Sequence, residues 1–213
     1  MRLVTLCGIA VALLTMGATA QASTFTFDTD PFAGTNVKNI PGRQIIGGED
    51  FISFSPATDL FSLDAATFGV SGPVHFVNAV AAGVPDGVNV VVLESFDNDN
   101  NPLTPFGAGN AADLIADRIT TPGAGFFVYF NQGLDLPRLV FSTDLSDSNA
   151  DLKVLARMLN LNGAQGRNAL ANFTADNFEI TNTTAVPEPA TLSMLGFGLV
   201  GIGRAFRRKK SQP

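Results

Sequence analysis

Residues 125–143 read GFFVYFNQGLDLPRLVFST. The first six residues are apolar on both faces of an extended chain, which predicts a strand in the middle of a sheet with both sides covered. Gly133 helps the chain to turn, and Arg138–Thr143 then returns as the second strand of a hairpin. This predicted hairpin indicates that the fold is built on β-sheet.

The sequence on either side of this hairpin carries further strand patterns separated by turns. Ser23–Asp28 alternates polar and apolar residues, as a half-buried strand does. Val88–Phe96 is mostly apolar and follows the turn Pro85-Asp86-Gly87, whose residue types favour a turn. The other predicted strands are Glu49–Phe54, Asp59–Leu63, Val74–Val80 and Ala175–Ile180. We therefore expect residues 23–180 to form a mainly β domain, an antiparallel β-sandwich or jelly-roll-like fold.

The pattern predicts one short helix in this domain. Asn110 is the expected cap and Asp113 lies at the third helical position, where a carboxylate favours the helix dipole. Thr121-Pro122 would end the helix. Asp151–Asn160 fits both a helix and a strand, and we favour a strand because β structure is predicted around it. Gly163 and Gly166 with their neighbours are expected to form a loop.

Residues 1–22 have the three parts of a secretory signal peptide. Arg2 gives a positive start, an apolar run follows from Leu3 to Met16, and two small-x-small patterns end at Ala20 and Ala22. The apolar run is shorter than a membrane-spanning helix requires. We predict a signal helix that signal peptidase removes at this point.

Residues 186–213 follow a five-residue linker, 181–185, and have three parts in order. Pro187, Glu188 and Pro189 come first, and the two prolines keep this stretch extended and non-helical. Residues 190–203 are uncharged and apolar, which predicts a hydrophobic helix that enters the bilayer. Residues 204–210 are basic and would stay on the cytoplasmic side.

This tail closely resembles the PEP-CTERM sorting signal of Gram-negative bacteria, because the Pro-Glu-Pro motif, the apolar segment and the basic cluster occur together and in order. The resemblance implies recognition by exosortase, a membrane protease, at Pro187, Glu188 and Pro189. It also implies transient anchoring in the inner membrane, then delivery to the cell surface, the extracellular matrix or a biofilm. The alternative is an ordinary C-terminal anchor with a chance Pro-Glu-Pro.

The charges and the cysteine limit what the central domain can bind. Residues 23–185 contain 18 acidic and 7 basic residues, a net charge of −11, and such a body repels the phosphates of nucleic acid. The only cysteine is Cys7, inside the predicted signal peptide. The mature chain would therefore have no disulfide, thiol nucleophile or thiolate metal site.

A catalytic site is not expected. His75 is the only histidine and lies within an apolar run, where a lone histidine is usually structural. No Gly-x-Ser-x-Gly motif supplies a serine nucleophile for a hydrolase. The sequence also lacks a phosphate-binding loop and a dinucleotide fingerprint. We therefore expect a non-enzymatic protein, with a hydrolase that uses His75 as a weaker alternative.

Calcium is the candidate ligand, and no other cofactor is expected. Oxygen-bearing side chains stand at alternate positions in two stretches, the spacing by which one loop wraps a hard cation. Neither stretch has the glycine and glutamate of an EF-hand. Asp and Asn also favour turns for reasons unrelated to metals, and that simpler interpretation is preferred. The candidate ligands are Asp97, Asp99, Asn101, Asp147, Asn149 and Asp151.

Exopolysaccharide is the partner that an extracellular location suggests. Sugar-binding sandwiches usually stack sugars on exposed Trp or Tyr, but this chain has no Trp and only Tyr129, which lies in a predicted core strand. The 18 Phe residues fall mostly at apolar strand positions. The expectation is therefore a structural or adhesive exported protein, and the alternative is a carbohydrate-binding module for exopolysaccharide.

Overall fold

A computed structural model of the protein describes residues 21–101 and 103–182. The predicted signal helix, the hydrophobic segment 190–203, the basic stretch 204–210 and the sorting motif all lie outside these residues. Within them, no helix is both long enough and apolar enough to cross a membrane. The predicted division into signal peptide, domain, linker and sorting tail therefore stays a prediction.

The described chain is mainly β, as predicted, but it contains three short α-helices where one was predicted. The strands are β1 (Thr24–Phe27), β2 (Ile45–Ile46), β3 (Asp50–Ile52), β4 (Leu60–Asp64), β5 (Phe76–Ala79), β6 (Val90–Leu93), β7 (Gly125–Asn131), β8 (Leu136–Ser142), β9 (Leu152–Met158) and β10 (Phe178–Thr181). The helices are α1 (Ala65–Phe68), α2 (Ala108–Ala116) and α3 (Gly163–Ala169). Single 3-10 turns lie at Val37–Asn39, Ala81–Gly83, Leu170–Asn172 and Ala175–Asn177.

The strands form two sheets. The smaller sheet has the order β1-β4-β10, and both outer strands run parallel to β4. The larger sheet has the order β2-β9-β8-β7-β6-β5. β3 also pairs with β9, at residues of β9 that follow those paired with β2. The predicted hairpin is confirmed as β7 and β8, which pair from Gly125 with Ser142 to Asn131 with Leu136. Every residue of β7 is buried, so this strand is central as predicted.

The antiparallel arrangement predicted for the sandwich or jelly roll is wrong for most strands. Only β7–β8 and β8–β9 are antiparallel, and the other six pairings among the described residues are parallel. The alternation of side chains is the same in both kinds of sheet, so the pattern does not reveal strand direction. Parallel neighbours need long crossovers. One such crossover, residues 94–124 between β6 and β7, contains α2.

Two apolar clusters cover the two faces of the larger sheet. On one face, side chains such as Val128 and Leu139 pack with Phe61 and Leu63 of the smaller sheet. On the other face, Phe127 and its neighbours pack with α2. The described body is therefore layered as small sheet, large sheet and helix, with β7 in the middle.

Phenylalanine rings fill the core between the two sheets. Phe54 is fully buried and stacks on Phe61 at 4.2 Å and on Phe173 at 5.3 Å, measured between ring centroids. Each fully buried ring contributes roughly 1.5–3 kcal/mol through removal of apolar surface from water. The expectation that most Phe residues are core side chains holds for this cluster.

The helix predictions were partly right. The predicted strand within Asp151–Asn160 is confirmed as β9, and α2 lies where a helix was expected. Asn110 is not the cap of α2, because the helix begins after Gly107, whose N–H donates to Asn110 Oδ1 at 2.9 Å. Ala108 and Ala111 are small and buried, so the helix extends one turn earlier to cover the sheet.

The loop predicted around Gly163 and Gly166 is wrong, since these residues belong to α3. A Cβ atom on Gly166 would lie 2.3 Å from the carbonyl oxygen of Leu161 and 3.3 Å from the ring of Phe130. Glycine at this position allows the helix to approach the core closely. Gly166 therefore serves close packing, whereas Gly163 has a φ of 60°, a conformation that glycine adopts without strain.

Candidate functional site

The first predicted calcium loop is exposed, and its side-chain oxygens accept hydrogen bonds from groups of the loop itself. Asp97 Oδ1 accepts from the N–H of Asp99 at 3.1 Å, and Asp99 Oδ1 accepts from the N–H of Asn101 at 2.9 Å. The hydroxyl of Thr104 donates to Asp99 Oδ2 at 2.5 Å. The hydrogen bonds from Thr104 and Asn101 lower the pKa of Asp99 below its ordinary value of 3.8. These contacts are those of successive Asx turns.

The second predicted calcium stretch is used in a similar way. Asp147 Oδ1 accepts a hydrogen bond from the N–H of Asn149 at 2.8 Å. Asp151 Oδ1 accepts from the N–H of Gln44 at 2.8 Å and so holds the residue just before β2 against β9. Asp151 therefore joins two distant parts of the chain, which gives it a structural role independent of a metal.

Residues 21–101 and 103–182 contain no group of three or more Asp, Glu, His or Cys side chains placed to hold a metal ion. The candidate residues fit turn formation better than a cation site, because an oxygen of each of Asp97, Asp99, Asn101, Asp147 and Asp151 already accepts a hydrogen bond from an N–H group. The turn interpretation therefore stays the preferred one for both stretches, and calcium binding stays the untested alternative.

His75 lies at the amino end of β5 with its side chain exposed. It lines a cavity of about 240 Å³ together with Ser71 and Thr121, and no carboxylate is among the described residues that line this cavity. The backbone N–H of His75 donates to Asn89 Oδ1 at 2.8 Å. Its imidazole makes no hydrogen bond within the described chain, so the geometry gives no support to a serine–histidine–carboxylate triad.

A cluster of charged side chains lies on the helix-covered face of the larger sheet. Arg138 on β8 and Arg157 on β9 are cross-strand partners. Both donate to Glu49 Oε1 at 2.5 Å, and Glu49 Oε2 accepts from the N–H of Gly48 at 3.0 Å. Arg138 also lies 3.4 Å from the hydroxyl of Tyr129.

Glu49 is held in its charged form. Its side chain is only 5% exposed, and burial alone would raise its pKa. A backbone hydrogen bond and the hydrogen bonds from Arg157 and Arg138 outweigh that effect, so the pKa falls from 4.5 to about 2. We call Glu49, Arg138, Arg157 and the adjacent Phe51 the arginine cluster.

Sequence reasoning missed the arginine cluster. The available signal was the position of Arg138 within the buried strand LPRLVFS and of Arg157 within LKVLARM, since arginine is almost never buried without a partner. Glu49, the partner, lies 89 and 108 residues away from them, and no local pattern connects such distant positions.

The sorting residues Pro187, Glu188 and Pro189 lie outside the described residues, so their assignment depends on sequence. In the sequence, the Pro-Glu-Pro motif is followed by the apolar segment and then by the basic cluster. Comparison with protein families identifies this tail: residues 185–209 match the PEP-CTERM protein-sorting motif. The predicted resemblance is confirmed for the tail.

The match indicates an exported protein that exosortase processes, with its tail held transiently in the membrane. Comparison with curated proteins and with solved structures gives no match for this chain.

Proposed function

We propose that this protein is a structural or adhesive component of the cell surface or extracellular matrix of a Gram-negative bacterium, and that it is not an enzyme. The observation that carries the proposal is the sorting motif at residues 185–209. Exosortase would release the tail near Pro187, Glu188 and Pro189, and signal peptidase would remove residues 1–22. The delivered form would be the acidic, cysteine-free central domain.

The described domain supports this role through its construction. Its two sheets share one aromatic core, and its short helices are packed against the sheets. The acidic side chains of the exposed turns are engaged by N–H and O–H donors. A domain of this kind suits a structural protein better than an enzyme.

The sorting part of the proposal is tested by replacing Pro187, Glu188 and Pro189 with alanine. We expect the variant to keep its full tail mass and to remain in the membrane fraction, whereas the wild type is shortened and appears at the surface. Alanine at Asn182, Thr183 and Thr184 is the matched control, because these positions precede the motif. Unchanged mass and location of the motif variant would show that the tail is only an anchor.

The adhesive part is tested in cells. A strain that lacks the protein should attach less well to surfaces or to its own matrix, and a copy with a functional sorting tail should restore attachment. A copy with His75→Ala should restore it equally if no catalysis is involved. Loss of the restored attachment with His75→Ala would favour the hydrolase alternative.

A second candidate function is binding of the cell's own exopolysaccharide. The observation that favours it is the exposed aromatic ring of Phe51 beside the guanidinium of Arg157, since ligand sites combine aromatic side chains with a few placed polar or charged groups.

A further inference from the structure

Phe51 and Arg157 form an exposed pair at the edge of the larger sheet. They are register partners of β3 and β9, and the Arg157 guanidinium lies 5.3 Å from the centroid of the Phe51 ring. Phe51 is 65% exposed, which is unusual for a ring in a domain whose other Phe side chains are mostly buried. Leu152 and Val154, earlier on β9, pack with α2, so the pair lies beyond the part of the face that the helix covers.

Arg157 is held with its outer nitrogens free. Its Nε donates to Glu49 Oε1 at 2.5 Å, and neither Nη atom makes a hydrogen bond within the described part of the chain. The side chain is 29% exposed. A guanidinium fixed at Nε and stacked on a ring presents its two Nη groups as a ready fork, and this fork matches a carboxylate in geometry and charge.

The local charge also favours an anion. Two guanidinium groups share the one carboxylate of Glu49, so the arginine cluster has an excess of one positive charge. The Nε of Arg138 is buried and has no hydrogen-bond partner. Asp50, next to Phe51 in sequence, faces the opposite side of β3, where it lines a different cavity. The excess charge stands out in a body with a net charge of −11.

From this geometry we infer that Phe51 and Arg157 bind carboxylate-bearing sugar residues of an acidic polysaccharide. The Nη fork of Arg157 takes the sugar carboxylate, and the exposed surface of the Phe51 ring packs against the apolar side of the sugar. Glu49 positions Arg157 and does not touch the ligand. This inference rests on the second candidate function and names the class of polysaccharide that it would bind.

The test uses the full chain in mild detergent and immobilised polygalacturonate as the probe. Fully methyl-esterified polygalacturonate is the comparison, because it keeps the sugar ring and loses the carboxylate charge. Ionic strength is held at about 0.15 M, where the Debye length of about 8 Å limits repulsion by the rest of the acidic body. We expect the wild type to bind the free acid at least tenfold more tightly than the ester.

Substitutions then assign the site. Arg157→Gln should lose binding at least tenfold, and Phe51→Ala should weaken it severalfold. Arg118→Gln, which removes the same charge from an exposed residue after α2, should bind like the wild type. Because Phe51 is largely exposed, we expect Phe51→Ala to fold normally. If Arg157→Gln does not fold, the loss of binding by Phe51→Ala still tests the site.

Three outcomes would overturn the inference: no binding by the wild type, equal binding of acid and ester, or an equal loss with Arg118→Gln. The sorting experiment is independent of all three, since Arg157→Gln leaves residues 185–209 unchanged. A chain that is sorted normally but binds no polygalacturonate would refute this site and leave the surface role standing.

Discussion

Arg138 and Arg157 face each other across β8 and β9 and donate to the same oxygen atom of Glu49. Two like charges on neighbouring strands would repel each other. The buried carboxylate of Glu49 offsets this repulsion, because it attracts both guanidinium groups and accepts a hydrogen bond from each. The unit links the residue just before β3 to β8 and β9, and it adds to the backbone pairing of β3 with β9.

Glu49→Gln should therefore destabilise the domain strongly. Removing one partner from a buried ion pair costs about 3 kcal/mol, because the remaining charges stay away from water without compensation. The free energy of unfolding, measured with urea, is the appropriate readout. Glu179→Gln is the matched control, since Glu179 is exposed on β10. Equal stability of the two variants would show that the cluster contributes little.

Glu49 should also make stability depend on pH in the acidic range. Its pKa is about 2 in the folded chain and 4.5 as a free side chain, so the folded state favours the charged form. Its contribution is complete above pH 4.5 and is lost as the pH falls towards about 2. Unfolding midpoints measured from pH 7 down to pH 2 should fall more steeply for the wild type than for Glu49→Gln. Parallel curves would contradict this assignment.

Gly166→Ala should destabilise α3 and its packing on the core. The added methyl group would meet the carbonyl oxygen of Leu161 at 2.3 Å, and overpacking of this kind costs about 1–3 kcal/mol. Gly123→Ala provides the comparison, because a Cβ there would meet nothing within 4 Å. The thermal midpoint should drop for the first variant only, and a similar midpoint for both would show that α3 shifts without cost.

Phe54→Ala should be among the most damaging single changes in the core. Phe54 is fully buried between Phe61 and Phe173, and removing such a ring costs about 3–5 kcal/mol. Phe51→Ala removes the same ring from an exposed position and should change the free energy of unfolding by much less. The ranking would be wrong if both substitutions cost the same.

Calcium should leave the thermal midpoint unchanged. The oxygens of Asp97, Asp99 and Asp151 already accept hydrogen bonds from N–H groups, which a cation would have to displace. Melting curves are compared with about 1 mM calcium and with chelator. Because 1 mM is about a thousand times a micromolar Kd, a site of that affinity would raise stability by about 4.1 kcal/mol. A rise in the midpoint that Asp99→Asn abolishes would instead establish a metal site at the first loop.

The sequence located the strands well because their signals are local. Alternation in Ser23–Asp28 and the apolar run Gly125–Phe130 both correspond to strands in the structure, β1 and β7. The direction of pairing was not predictable in this way. Whether β6 meets β7 in parallel depends on the course of residues 94–124 over the sheet, and side-chain period carries no information about that course.

The candidate sites divide in the same manner. Pro187, Glu188 and Pro189 were identifiable because the whole signal is contiguous in sequence. The arginine cluster was not, because Glu49 meets Arg138 and Arg157 only after three separate strands have paired. A charged residue inside a buried strand indicates that it has a partner, but only the fold shows which residue that partner is.

The parallel course of the smaller sheet has a geometric consequence for the exported protein. Since β1 and β10 both run parallel to β4, the chain enters this sheet at one end and leaves it at the other. Five residues, 182–186, separate Thr181 from Pro187. A fully extended chain of five residues, at about 3.6 Å per residue, reaches about 18 Å at most. If the tail is held in the membrane until exosortase acts, this limit would keep the exit end of the domain near the bilayer, and cutting near the motif would release a domain that keeps its ten described strands.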